Sequence, residues 1–81
     1  MNTNFWKNCT TDGNPPVIGE KYIIKHVRKG TFKGIVLSVT DTWADVQITE
    51  GEANAILDYN VCEKDDMVVI RSSLCTMEKI L

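Results

Sequence analysis

Residues 34–48 read Gly-Ile-Val-Leu-Ser-Val-Thr-Asp-Thr-Trp-Ala-Asp-Val-Gln-Ile, and this stretch decides the fold. Ile35, Leu37 and Val39 alternate along its first half, and successive strand residues point to opposite faces, so one side is apolar. Thr40, Asp41 and Thr42 form a short polar connection. Ala44, Val46 and Ile48 then alternate against Trp43, Asp45 and Gln47. Two alternating runs joined by a tight polar link make a β-hairpin. With Ala44, Val46 and Ile48 facing the core, Trp43, Asp45 and Gln47 face outward.

Reading outward from the hairpin, residues 21–27 (Lys-Tyr-Ile-Ile-Lys-His-Val) are rich in β-formers, and Arg28, Lys29, Gly30 and Thr31 supply a turn before Phe32 and Lys33. Downstream, Glu50, Gly51 and Glu52 break the pattern. Residues 53–59 fit a single helical turn or an irregular short strand. Val61 and Cys62 lead into the charged turn 63–66, residues 67–71 form a further strand, and 74–81 fit a last strand better than a helical turn. Four or five short strands with tight turns predict an all-β chain, a small SH3-like barrel with an OB-like barrel as the alternative, because closing the sheet removes aggregation-prone edges. The expected core holds Ile24, Ile35, Leu37, Val39, Val46, Ile48, Val68 and Ile70.

Residues 1–19 are polar and turn-rich, and Pro15 and Pro16 lack amide donors and favour extended backbone. They are expected as an arm packed on the barrel domain 20–81, anchored by Phe5 and Trp6, whose free exposure would forfeit about 25 cal/mol per Å² of buriable surface.

With 81 residues, 43% hydrophobic and 25% charged, the chain is one small soluble domain of modest stability, a monomer or a homodimer. Its net charge of −2 disfavours strong nonspecific binding to nucleic acid. The total hides a split: residues 1–33 carry six Lys and Arg against two acids, and residues 34–81 three against nine. Such a split orients a partner, or is cancelled when the fold brings the two parts together. Three cysteines without Cys-x-x-Cys spacing predict no disulfide framework, with Cys9 the exposed thiol. His26, the single histidine, excludes a Cys2His2 zinc site and is expected to be structural. The amino terminus lacks the apolar core of a signal peptide and no run reaches 18 apolar residues, so a cytoplasmic protein with no membrane span is expected.

Catalysis is not expected. The sequence has no Gly-rich phosphate loop, nucleophile elbow or metal-ligand spacing, and no cofactor or metal is implied. Asp65 and Asp66 form a carboxylate pair, but the calcium-loop pattern with its Gly and closing Glu is missing. Protein binding is better supplied. An outward Trp is a frequent hot spot, which makes Trp43, Asp45 and Gln47 the candidate site, with Asp41 and Glu50 at its rim. The alternative is a nucleic-acid surface in which Lys25, Arg28, Lys29 and Lys33 neutralise phosphates and Tyr22 or Phe32 stacks on a base.

The head of the chain, Trp6 followed by Asp12, Gly13, Asn14, Pro15, Pro16, Val17, Ile18, Gly19 and then an apolar strand, resembles small uncharacterised proteins of tailed phages and prophages. Their usual form is a Trp, a Gly and Pro-Pro-Val-Gly ahead of a β-rich body. This chain departs by Ile18 between the valine and the glycine, and by Ser73, Leu74 and Cys75 where Phe-Arg-Pro is common. The resemblance implies a phage-encoded cytoplasmic protein of a bacterial host, with no activity common to the group. Joined to the acidic second part, the missing active site and the outward Trp43, it leads to the expectation of an accessory protein that binds a host or phage protein, to inhibit or redirect it. The segment 22–27 with Lys29, Gly30, Thr31, Phe32, Lys33, Gly34, Ile35 and Val36 resembles a KOW-type turn, whose basic loop often meets RNA or a transcription complex.

Overall fold

The computed structural model describes residues 5–50, 53–54, 61–62 and 65–80. Its strands are β1 (Lys21–His26), β2 (Gly30–Val39), β3 (Trp43–Glu50), β4 (Ala53–Asn54), β5 (Val61–Cys62), β6 (Met67–Arg71) and β7 (Cys75–Lys79), with a 3-10 turn at Ser72–Leu74. Five of them form one antiparallel sheet in the order β6-β3-β2-β1-β7, and β4 pairs with β5 in a separate small ladder. The all-β expectation holds, with no α-helix among the described residues. Residues 55–59, read as a helical turn or short strand, lie outside the described residues.

Both expected hairpins form. His26 lies opposite Gly30, leaving 27–29 as the loop. Gly30 takes φ 81°, a left-handed conformation in which a side chain is strained, so glycine sits where the turn rejoins the strand. Thr40 closes the second turn: its amide donates to the Trp43 carbonyl at 2.7 Å, and its Oγ1 accepts from the Trp43 amide at 3.2 Å.

Inward positions alternate as strands require: Tyr22, Ile24 and His26 on β1, Ala44, Val46 and Ile48 on β3, Val68 and Ile70 on β6, Cys75 and Met77 on β7. On β2 the phase departs from the expected one. Phe32, Gly34 and Val36 are buried, whereas Ile35 is only half-buried and Leu37 is 39% exposed. The β2–β3 ladder carries two register shifts, of which the one on β2 changes its phase. One leaves Thr49 as an extra residue on β3, between the pairs Lys33–Glu50 and Gly34–Ile48. The other places Leu37 as an extra residue on β2, between Val36–Val46 and Ser38–Asp45. A bulge inserts one unpaired residue and reverses the alternation beyond it. Val39 therefore returns to pack against the core although Leu37 does not.

The sheet is open: β6 and β7 are its outer strands and no ladder joins them among the described residues. The amino-terminal arm covers the edge of β7. Met77 donates its amide to the Cys9 carbonyl at 2.7 Å, and the Thr11 amide donates to the Met77 carbonyl at 3.2 Å. Trp6, 1% exposed, fills the interior above this contact. Phe5, expected as a second anchor, is 50% exposed, and Cys9, expected on the surface, is buried. Farther along the arm, the Tyr22 hydroxyl accepts the Val17 amide at 3.0 Å and fixes the proline segment. At the end of the sheet the 3-10 turn bridges both hairpin loops, as Ser72 donates to the Thr42 carbonyl and Val27 to that of Leu74, each at 2.9 Å.

The charge split is drawn together in part. Lys21 and Lys33 reach Glu50 at 3.5 and 3.1 Å and so set cations of the basic first segment against an acid of the remainder, whereas Lys79 reaches Glu20 at 4.0 Å with the signs reversed.

Candidate protein-binding face

Directly opposed residues of an antiparallel ladder project to the same side of the sheet. Trp43 lies opposite Arg71, Asp45 opposite Val69, and Gln47 opposite Met67. On the other flank of β3, Asp45 faces Ser38 and Gln47 faces Ile35. The outer face of β3 is therefore the centre of a patch that continues over β6 and the bulged part of β2.

Trp43, Asp45 and Gln47 are half-buried, as outward residues of a central strand should be, flanked on both sides. The residues that project farthest are ones the sequence reading did not select: Met67 at 73% exposed and Val69 at 54%. With Leu37 they give this face an apolar surface that no described residue covers. The signal for them was present in the alternation of 67–71, since placing Val68 and Ile70 inside forces Met67 and Val69 outside.

Ser38 donates its hydroxyl to Oδ2 of Asp45 at 2.6 Å. This bond exists because the Leu37 bulge brings Ser38 into register with Asp45, and it orients the carboxylate on the open face. Asp41 is exposed in the turn at the Trp43 end. Glu50 is at the far end of β3, about 23 Å from Trp43 at about 3.3 Å per residue, and is engaged by Lys33 and Lys21. Those two cations, the Lys33 contact first, hold its carboxyl below the usual glutamate range. Glu50 belongs to a separate ionic cluster and not to the rim of the Trp43 patch.

The basic residues divide as well. Lys25, Arg28 and Lys29 gather at the β1–β2 turn, where the amides of Arg28 and Lys29 both donate to Nδ1 of His26 at 3.0 and 3.1 Å. The expected structural role of His26 is thus a specific one, an acceptor that organises the loop. Lys33 is committed to Glu50. Tyr22 and Phe32 are 4% and 2% exposed and sit in the core, so neither offers a ring face for a base. That corrects the stacking role foreseen for them, because both occupy inward positions of their strands.

Asp65 and Asp66 are exposed and their backbone is used: the Asp65 amide donates to the Ile48 carbonyl at 2.8 Å, and the Ile48 amide to that of Asp66 at 2.9 Å. Among the described residues no group of three His, Cys, Asp or Glu side chains is placed to hold a metal ion, and no helix is long and apolar enough to cross a membrane. Compared with models of protein families, with curated proteins and with solved structures, the chain matches none.

Proposed function

We propose that the chain is a non-catalytic protein-binding module, a phage-encoded accessory protein that engages a host or phage protein through the outer face of β3 and β6. The observation that carries this reading is the apolar pair Met67 and Val69, exposed on an outermost strand beside Gln47 and Asp45. An outer strand with uncovered apolar side chains offers both a backbone edge and a hydrophobic surface, the two elements by which an extended segment of a partner adds to a sheet. Trp43 and the oriented Asp45 carboxylate supply specificity beside it. The succession β1-β2-β3-β6, with β7 returning beside β1, supports an SH3-like arrangement of this module. Fold alone assigns no partner, so the reading rests on the face.

The test is affinity purification of the full chain from expressing bacterial cells, with Trp43→Ala run in parallel. A protein retained by the parent chain and lost from the variant is the expected result. Capture of nothing above background, or equal capture by both, would overturn the reading. Recovery of nucleic acid instead would shift attention to Lys25, Arg28 and Lys29.

A further inference from the structure

Cys9 and Cys75 are 66 positions apart in sequence, yet their sulfurs lie 3.6 Å apart, both buried, with the Cys75 Sγ also 3.3 Å from the Arg71 carbonyl. Both are free thiols. Neither has a part in the binding face. A disulfide needs about 2.05 Å between sulfurs, so the pair has to close by roughly 1.5 Å. Cys9 borders a groove of about 270 Å³ and Cys75 one of about 470 Å³, and Asn8, Lys25 and Thr76 border both. The grooves therefore adjoin at these three residues, and each exceeds the roughly 30 Å³ that a water molecule occupies in the liquid.

From this juxtaposition we infer that Cys9 and Cys75 are a reversible dithiol–disulfide site, closed by hydrogen peroxide, that locks the amino-terminal arm onto β7. The two thiols are not equivalent. The contact with Cys75 holds Cys9 below the usual thiol range against its burial, while the contact with Cys9, together with burial, pushes Cys75 up. Cys9 is thus the attacking sulfur and Cys75 the resolving one. In the first step the Cys9 thiolate attacks one peroxide oxygen. An S–O bond forms, the O–O bond breaks and hydroxide leaves, so sulfur loses the two electrons that peroxide gains. In the second step the Cys75 sulfur attacks Cys9 Sγ. The S–S bond forms, the S–O bond breaks, and the departing hydroxide takes the Cys75 proton as water. Overall, two thiols and one peroxide give one disulfide and two waters. A small dithiol reverses it by exchange.

The structural consequence follows from where Cys9 sits. Its amide donates to the Trp6 carbonyl at 3.0 Å, and its own carbonyl accepts the Met77 amide, so the link fixes the turn that carries Trp6. A cross-link spanning 66 positions also removes much of the freedom of the unfolded chain.

The experiment treats the folded full-length chain with hydrogen peroxide, alongside a Cys62→Ser form that leaves one pairing open. The expected result is a loss of about 2 Da with a peptide linking residues 9 and 75, in both proteins. Dithiothreitol is expected to restore both thiols, and the thermal midpoint of the linked form to rise by about 10 °C or more. Thiols that still react fully after peroxide, a link to Cys62 or to a second chain, or Cys9 carried on to the sulfinic acid would overturn the site. A link that leaves the midpoint unchanged or lower would overturn the lock. The mapping is done on the unsubstituted chain, so the result does not depend on whether Cys9→Ser or Cys75→Ser folds.

Discussion

Trp6 donates its indole Nε1–H to the carbonyl of Thr40 at 3.1 Å, tying the amino-terminal arm to the β2–β3 turn 34 residues later. The arm is paired to β7 at one edge of the sheet, so this bond reaches from that edge to the turn beside β3. The ring that carries it is 1% exposed and belongs to the core. Trp6→Ala is therefore expected to cost about 3–5 kcal/mol, as for a large buried aromatic truncated to alanine. Trp6→Phe keeps most of the packing but loses the donor, at roughly 1 kcal/mol. Urea denaturation checks both, and a cost below about 1 kcal/mol for Trp6→Ala would show that the arm lies outside the cooperative unit.

Gly34 is the close-approach point between β2 and β3. A Cβ there would collide with Val46 Cγ1 and lie 2.9 Å from the Gln47 carbonyl oxygen. Gly34→Ala is expected to destabilise the fold by about 1–3 kcal/mol through overpacking. Because the Gln47 contact is backbone, Val46→Ala in the same chain should relieve only part of the cost. A double-mutant cycle measures the coupling, and strict additivity would contradict the contact.

The Leu37 bulge sets opposite outcomes for neighbouring residues. Val36, fully buried, should cost about 2 kcal/mol as Val36→Ala, at roughly 0.8 kcal/mol per buried methylene plus a cavity contribution. Leu37→Ala, at an outward and unpaired position, should stay within about 0.5–1 kcal/mol. Simple alternation through Ile35, Leu37 and Val39 predicts the reverse order for these two positions, so thermal or urea midpoints of the two variants decide the phase of β2.

That contrast shows where the chain was legible and where it was not. β3 could be read because its two faces differ in kind, Ala44, Val46 and Ile48 against Trp43, Asp45 and Gln47. β2 presents apolar residues at nearly every position from Ile35 to Val39, so period-two patterning has no contrast to work with, and the bulges come from pairing with β3 and leave no mark in β2 alone. Phe5 and Trp6 are neighbouring aromatics, and what sets Trp6 apart includes a bond to the distant Thr40 carbonyl that has no local signature. The proximity of Cys9 and Cys75 likewise depends on the arm pairing with β7, a contact with no local signature. Of the binding face, the outward direction of Trp43, Asp45, Gln47, Met67 and Val69 followed from alternation, whereas the greater exposure of Met67 and Val69 depends on β6 being an outermost strand.

Glu50 makes the pH response of the ionic cluster predictable in sign. Its carboxyl is held below the usual glutamate range by Lys33 and Lys21, so the ionised form is favoured in the folded state. The unfolded chain therefore binds the proton more readily, and stability falls as pH drops through the unfolded and then the lowered folded value. The stabilisation is complete above the ordinary glutamate range. Both partners are solvent-exposed, so the effect should be small and should shrink with added salt. Carboxyl titration followed by NMR checks this: the Glu50 midpoint should move back up in Lys33→Ala, and an unchanged midpoint would remove Lys33 as its main cause.

The exposed pair on β6 separates binding from stability. Met67 and Val69 contribute little burial in the isolated chain, so Met67→Lys with Val69→Lys should leave the urea midpoint within about 0.5 kcal/mol of the parent. The same change puts two charges on the apolar edge, a device that blocks strand addition, and capture of a partner should fall by tenfold or more. The loss should persist at high salt, because an apolar contact is not screened, whereas phosphate binding through Lys25, Arg28 and Lys29 would weaken steeply with salt and strengthen when lysines are added. Partner capture at low and moderate salt, measured for the parent and the double variant, therefore distinguishes the two surfaces. Undiminished capture by a normally stable double variant would place the interface elsewhere on the molecule.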